Sequence, residues 1–175
     1  QRFDNDGYAQ WTANGKALLT PVGETVGEFA AVVLDNGNVL LAYVHRPATY
    51  QDTLSAQAFD ADGDAVWAQP VHIAQGGAPV LGIDQVRARA SAGGGAIIGW
   101  YDTYFGGSNE VNCTRIRNSG TLPWGTDGYA IPGATYGPFD LFDDGAKGAV
   151  VQWRDGNGSG ANMHAMRVDS TGANH

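Results

Sequence analysis

The segment Gln1-Arg2-Phe3-Asp4-Asn5-Asp6-Gly7 returns three times further along the chain. The copies are Gln57-Ala58-Phe59-Asp60-Ala61-Asp62-Gly63, Thr114-Arg115-Ile116-Arg117-Asn118-Ser119-Gly120 and Met166-Arg167-Val168-Asp169-Ser170-Thr171-Gly172. Their glycines are 56, 57 and 52 residues apart. In the first three copies a tryptophan follows the glycine by four residues, at Trp11, Trp67 and Trp124. A second aromatic recurs in register as Tyr43, Trp100 and Trp153. A fixed period of this length restricts the chain to an array of like units, each burying its apolar face against the next.

Each unit has the same internal order. An alternating stretch ends at Asp/Asn-Gly (31–37, 139–145), and an apolar run follows (39–43, 96–100, 149–153). A polar loop then leads to a strand that closes at the Asp-x-Asp-Gly turn, and the tryptophan strand completes the unit. Asn-Gly and Asp-Gly suit tight hairpins because type I′ turns need positive φ. The 26 glycines, set among Asn and Asp between short apolar runs, fit an all-β chain with many turns. No stretch carries the caps and spacing of an amphipathic helix. The expectation is four antiparallel strands per unit of about 55 residues, the content of a propeller blade. The fold class expected is therefore all-β, a partial β-propeller of about three blades. Its units fall near 1–56, 57–113 and 114–165, with a further unit starting at 166–175.

The run 56–67, Ala-Gln-Ala-Phe-Asp-Ala-Asp-Gly-Asp-Ala-Val-Trp, resembles the tryptophan-docking motif of quinoprotein-type propellers. It is also similar to repeats of large secreted bacterial propeller proteins, a pattern that 115–125 follows except that Arg117 stands where Asp is usual. The resemblance implies that Trp11, Trp67 and Trp124 are wedges between neighbouring blades. It also implies an extracellular or cell-surface location. It spans nearly the whole chain, yet such an architecture serves many functions.

The chain starts and stops within the same repeat element. Three blades would leave sheet edges open, which soluble proteins avoid. The expected partners are accordingly other blades of a longer polypeptide or other copies of the chain. No basic-then-apolar leader precedes Gln1, so an export signal would have been removed or would lie outside these residues. Apolar runs are far too short for a membrane span. The net charge of −8 argues against a phosphate backbone as partner. Cys113 is the single cysteine, which excludes an internal disulfide and suggests a buried, inert thiol.

Chemical motifs are sparse. Asp60, Asp62 and Asp64 alternate around Gly63 and could offer oxygens to calcium, but the distal Glu of a calcium hand is missing. Turn formation explains these aspartates better, and no cofactor is expected. The histidines, His45, His72, His164 and His175, have no zinc-ligand spacing. His45, Asp102 and Asp155 occupy one shared strand-end position. Asp102, Glu110, Asp143 and Asp155 are the carboxylates available for glycoside chemistry, whose separations the sequence leaves open. There is no nucleophile elbow, and Cys113 has no evident base. The Gly156-Asn157-Gly158-Ser159-Gly160 run connects two strands and opens no helix, so it reads as a hairpin loop rather than a phosphate loop.

Aromatic residues in the loops after the inner strands remain: Tyr50 in one unit, and Tyr101, Tyr104 and Phe105 in the next. Exposed rings of this kind stack on sugars or anchor protein partners. The expected function is a non-catalytic binding or scaffold module recognising a glycan or a cell-surface protein through divergent loops on a constant frame. Two alternatives stand beside it: a self-assembling surface or filament subunit, and a fragment of a quinoprotein dehydrogenase or sialidase-like hydrolase.

Overall fold

The structure, a computed structural model, describes residues 1–19, 24–47, 51–76, 80–104, 109–135, 137–156 and 159–175. It is all-β, with three antiparallel sheets in chain order. Sheet 1 contains β1 (Glu24–Val33), β2 (Val39–Pro47), β3 (Thr53–Phe59) and β4 (Val71–Gln75) in sequential order. Sheet 2 contains β5 (Val80–Ala90), β6 (Ala96–Tyr104), β7 (Glu110–Ile116) and the short β8 (Tyr129–Ala130). Sheet 3 has three strands, β9 (Phe139–Asp143), β10 (Ala149–Arg154) and β11 (Met163–Val168). No described helix is long and apolar enough to cross a membrane.

The sheets keep the sequence period but are phased differently from the units 1–56, 57–113 and 114–165. β4 belongs to sheet 1 although it lies beyond Asp60, and β8 belongs to sheet 2 although it follows Gly120. The four-strand expectation holds for two sheets, whereas the third has three strands among the described residues. The tryptophans also differ from expectation, since they lie in the connection before the outer strand rather than on it. Pro70 explains the late start of β4: it has no N–H for the ladder, so pairing begins at Val71.

The alternation along each strand sorts residues to two faces. Facing the next sheet, sheet 1 presents Leu34, Leu40, Ala42, Val44, Leu54 and Ala56. These pack on Val86, Ala96, Ile98, Trp100 and Ile116 of sheet 2. The opposite face of sheet 2 presents Ile97, Tyr101, Val111 and Cys113 to Phe139, Leu141, Val151, Trp153 and Val168 of sheet 3. The sheets therefore stack back to front, and the first strands follow one another, β1 beside β5 and β5 beside β9. Fully burying each such aliphatic chain is worth about 1.5–3 kcal/mol, so sheet-on-sheet docking supplies most of the stability. Gly99 permits the second interface, because a Cβ there would lie 2.7 Å from Leu141 and 2.9 Å from Phe139.

β1 and β5 bulge at matching places, between Val26 and Phe29 and between Asp84 and Arg87. Gln85 takes positive φ in the second bulge (φ 53), and the Val86 N–H donates to Glu28 Oε2 at 3.2 Å. A bulge frees a ladder group, and here Glu28 on β1 of the neighbouring sheet satisfies it.

The back faces diverge along the array. In sheet 1, Leu34 after β1 and Ala58 on β3 hold two such positions, both buried. Ser91 and Arg115 hold these places in sheet 2, with Arg115 Nε donating to Ser91 Oγ at 3.1 Å. Asp144 and Arg167 hold them in sheet 3, where Arg167 Nε donates to Asp144 Oδ2 at 2.8 Å.

Each tryptophan reaches from one unit to the next in the same way. Trp67 Nε1 donates to Asn118 O at 2.9 Å, Trp11 Nε1 to Ala61 O at 3.2 Å and Trp124 Nε1 to Ser170 O at 3.2 Å. All three acceptors lie two residues before the repeat glycine. The ring then lies over that glycine, as a Cβ at Gly63, Gly120 or Gly172 would come within 3.1–3.3 Å of it. These glycines also have positive φ, so both backbone and space require the residue. Trp67→Ala should destabilise the protein by about 3 kcal/mol, the lower end for a large aromatic because the ring is half-buried. Trp67→Phe should cost only about 1 kcal/mol, for the hydrogen bond. Urea unfolding of both variants checks this, and a Trp67→Phe variant as stable as the unmodified chain would mean the indole N–H contributes nothing.

Candidate functional site

The stack has two unlike ends. At one lie the tight turns 34–38, 91–95 and 143–148, together with the repeat turns 59–64, 116–121 and 168–173. At the other lie the strand ends that carry His45, Asp102 and Asp155. The turn end is held by local bonds. Asp60 Oδ1 accepts the N–H groups of Asp62 and Asp64, each at 2.9 Å, and Asp64 Oδ1 meets Lys16 Nζ at 2.5 Å. Lys16 Nζ also donates to Asp62 O at 3.0 Å. Asp60, Asp62 and Asp64 are thus engaged as a turn with a lysine across it. Among the described residues no cluster of three or more His, Cys, Asp or Glu side chains could hold a metal ion.

At the loop end, the strand-end position shared by His45, Asp102 and Asp155 is used locally in each sheet. His45 Nδ1 lies 2.9 Å from Glu24 Oε2. Asp155 Oδ2 lies 2.7 Å from His164 Nε2, and the His164 ring stacks on Trp153 with centroids 5.4 Å apart. Asp102 Oδ2 accepts from Asn112 Nδ2 at 2.9 Å. The three groups thus have separate partners, each within its own sheet. Of the candidate carboxylates, Asp102 and Glu110 are cross-strand neighbours on β6 and β7, while Asp155 belongs to sheet 3 and Asp143 lies at the turn end.

The aromatic candidates separate. Tyr101 is 7% exposed, packs between sheets 2 and 3, and donates its hydroxyl to Thr135 O at 2.9 Å. It is an interface residue rather than a recognition surface, because its position on β6 points it to the back face. Tyr104 is half-buried at the loop end, with its hydroxyl 3.1 Å from Glu110 Oε2. Burial, reinforced by Glu110 and Asp102, pushes its phenol up to about 12. Tyr50 and Phe105 lie outside the described residues. Cys113 is fully buried and free, and burial pushes its thiol up to about 12, which removes it as a nucleophile.

One polar network escaped sequence reasoning. Arg46 bridges sheets 1 and 2 at the loop end, its Nε 3.2 Å from Asp52 Oδ2 and its Nη2 2.9 Å from Asp84 Oδ1. Asp52 Oδ2 also accepts the Ile83 N–H at 3.1 Å, and Thr103 Oγ1 donates to Asp84 Oδ2 at 3.3 Å. Arg46 and Asp84 belong to different units, and nothing in the local pattern signals their meeting.

Two cavities open on the front of sheet 1, the face turned from sheet 2. One of about 380 Å³ is lined by Trp11, Leu18, Val33 and Val39 among others. A second, of about 310 Å³, lies among Leu18, Leu19, Val26, Phe29, Leu41 and Tyr43. Both are predominantly apolar.

Comparison of the chain with protein-family models, with curated proteins and with solved structures found no match in any of the three.

Asp102 is electrostatically unusual. Burial raises its carboxyl to about 7; Glu110 and Asp127 add to the rise, and the Trp100 indole only partly opposes it. The folded state therefore keeps a proton that the unfolded chain releases near the ordinary 3.8. This stabilisation is complete below that value and is lost as pH rises through about 7. Three aspartates act in the opposite sense. For Asp144, burial is outweighed by the Ala146 and Gly148 N–H groups and Arg167. Asp155 is held down by the Asn162 N–H and His164, and Asp169 by the Thr171 hydroxyl and His175. Their stabilisation is present above the ordinary carboxylate range and is lost at lower pH. Thermal midpoints should peak in mildly acidic solution. Asp102→Asn should flatten the decline between pH 4 and 8 while leaving the acid limb intact. An unchanged alkaline limb would show that Asp102 is ionised throughout.

Proposed function

We propose that the chain is a section of a β-propeller-type array acting as a non-catalytic binding and scaffold module at the cell exterior. Back-to-front stacking with β1, β5 and β9 in succession supports the propeller-type arrangement. The observation that carries the binding reading is the contrast between the ends. A single tryptophan-to-carbonyl contact is repeated in every unit, yet the strand-end residue opposite it changes from His45 to Asp102 to Asp155. A frame held constant beneath varied loops is the usual arrangement for recognition. Glycan or protein surfaces are the partners that suit it, with Tyr104 the described aromatic placed to contribute a ring face.

A glycan array probed with the intact chain, followed by fluorescence titration of any hit, tests this reading. Tyr104→Ala should weaken binding about tenfold, equivalent to ~1.4 kcal/mol, when titrated well below the variant's own unfolding midpoint. A chain that binds no glycan and no cell-surface protein would remove recognition from the proposal. The enzyme alternative draws on Asp102, held near neutrality beside Glu110. Hydrolysis of aryl glycosides that is abolished by Asp102→Asn would replace the binding reading.

A further inference from the structure

We infer that the loop end of sheet 2 is a site for the hydroxyl groups of an uncharged sugar, held between Asp102, Glu110 and the Trp100 indole; this deepens the glycan reading above and rests on it. Sheet 2 lies between sheets 1 and 3, so the site has both of its neighbouring sheets in place.

Register sets this strand end apart from its two counterparts. His45, Asp102 and Asp155 lie across from Thr53, Glu110 and Asn162. Two residues inward, Tyr43, Trp100 and Trp153 pair with Ser55, Asn112 and His164. Sheets 1 and 3 each complete an acid–imidazole pair here, Glu24 with His45 and Asp155 with His164. In sheet 2 Asn112 stands where sheet 3 has its imidazole, and its Nδ2 donates to Asp102 Oδ2 at 2.9 Å. The residue opposite Asp102 is a second acid, Glu110, and Asp127 adds a third negative charge nearby. No lysine, arginine or histidine among the described residues forms an ion pair with any of the three.

Carboxyl groups alone define no ligand; the indole does. Trp100 is fully buried, and its Nε1 meets no hydrogen-bond acceptor, yet it stands close enough to Asp102 to oppose the rise of that carboxyl. A buried donor left unbonded is costly and marks a place where an acceptor belongs. Gly128 packs against the same ring, where a Cβ would come within 2.7 Å of Cη2. The preceding Asp127 is tied to sheet 1 through its N–H, which donates to Ile73 O at 2.8 Å. These contacts hold the 127–128 backbone against Trp100.

Acceptors beside an unbonded donor select a ligand by its chemistry. A hydroxyl donates to a carboxylate and accepts from the indole at once. An ammonium group has no lone pair with which to accept. Phosphate and sulfate have no proton to give, and a uronate carries a charge that the acidic groups repel. Tyr104, half-buried with its hydroxyl 3.1 Å from Glu110 Oε2, supplies the ring face for the apolar side of the sugar.

Heteronuclear NMR of the indole N–H signals, with the intact chain titrated by neutral methyl hexosides and by glucuronate, tests the inference. Trp100→Phe identifies the Trp100 signal. A neutral hexoside should shift that signal and slow its exchange with water. The Trp67 and Trp124 indoles, already bonded to Asn118 O and Ser170 O, should stay in place. Glucuronate, calcium and methylammonium should each leave the Trp100 signal unmoved. Glu110→Gln keeps an acceptor for the Tyr104 hydroxyl; it should weaken the hexoside about tenfold and admit glucuronate, a gain that unfolding does not produce. A hexoside that binds without moving the Trp100 signal, a Trp100 signal that answers to calcium or methylammonium, or a Glu110→Gln variant of unchanged selectivity would each overturn it. In the first case the glycan reading stands with its site elsewhere, whereas a chain that binds no glycan removes both.

Discussion

The contact between an indole ring and the glycine turn of the following unit governs this structure. It acts at two levels. The ring lies close over a glycine whose positive φ disfavours any side chain, and its N–H anchors a backbone carbonyl in the turn. Ring and turn must therefore meet in one register. That register decides which front residue faces which back residue over the rest of the interface. The aliphatic cores contribute more free energy in total, but grease alone tolerates sliding. A directional bond at the rim removes that freedom.

Much of this was legible in the sequence because a repeat amplifies weak local signals. The period, the all-β class and the tryptophan positions came from recurrence, and the structure gives all three indoles the same acceptor position and the same glycine. The phase of the sheets was not legible, since a period has no intrinsic starting point. Ala65-Val66-Trp67 has strand-like composition, yet only Ala65 bridges back to Phe59 before the chain departs. Pro70 then delays the next strand, a tertiary outcome that propensity does not contain.

The site was less legible for a related reason. Arg46, Asp52 and Asp84 join residues from different units, and no local spacing encodes that meeting. The carbonyl oxygens receiving the indole bonds belong to Ala61, Asn118 and Ser170, residues with nothing in common beyond position. Tyr101 and Tyr104 looked alike as loop aromatics, but three residues on a strand place them on opposite faces. One is buried between sheets and the other remains at the end of the stack. The rise at Asp102 follows first from its burial, with Glu110 and Asp127 adding to it.

The pairs on the back faces carry a consequence for how such an array keeps its order. Leu34 with Ala58, Ser91 with Arg115 and Asp144 with Arg167 fill one place in three chemically different ways. Sheets of like sequence risk docking on the wrong neighbour while the chain is still folding. A back bearing an arginine–aspartate pair would lose its hydration if pressed against the aliphatic front that accepts Leu34. The sheets are thus alike enough to share a docking geometry and different enough to be out of place anywhere else. The order of the array is written in its interfaces as well as in its covalent connections.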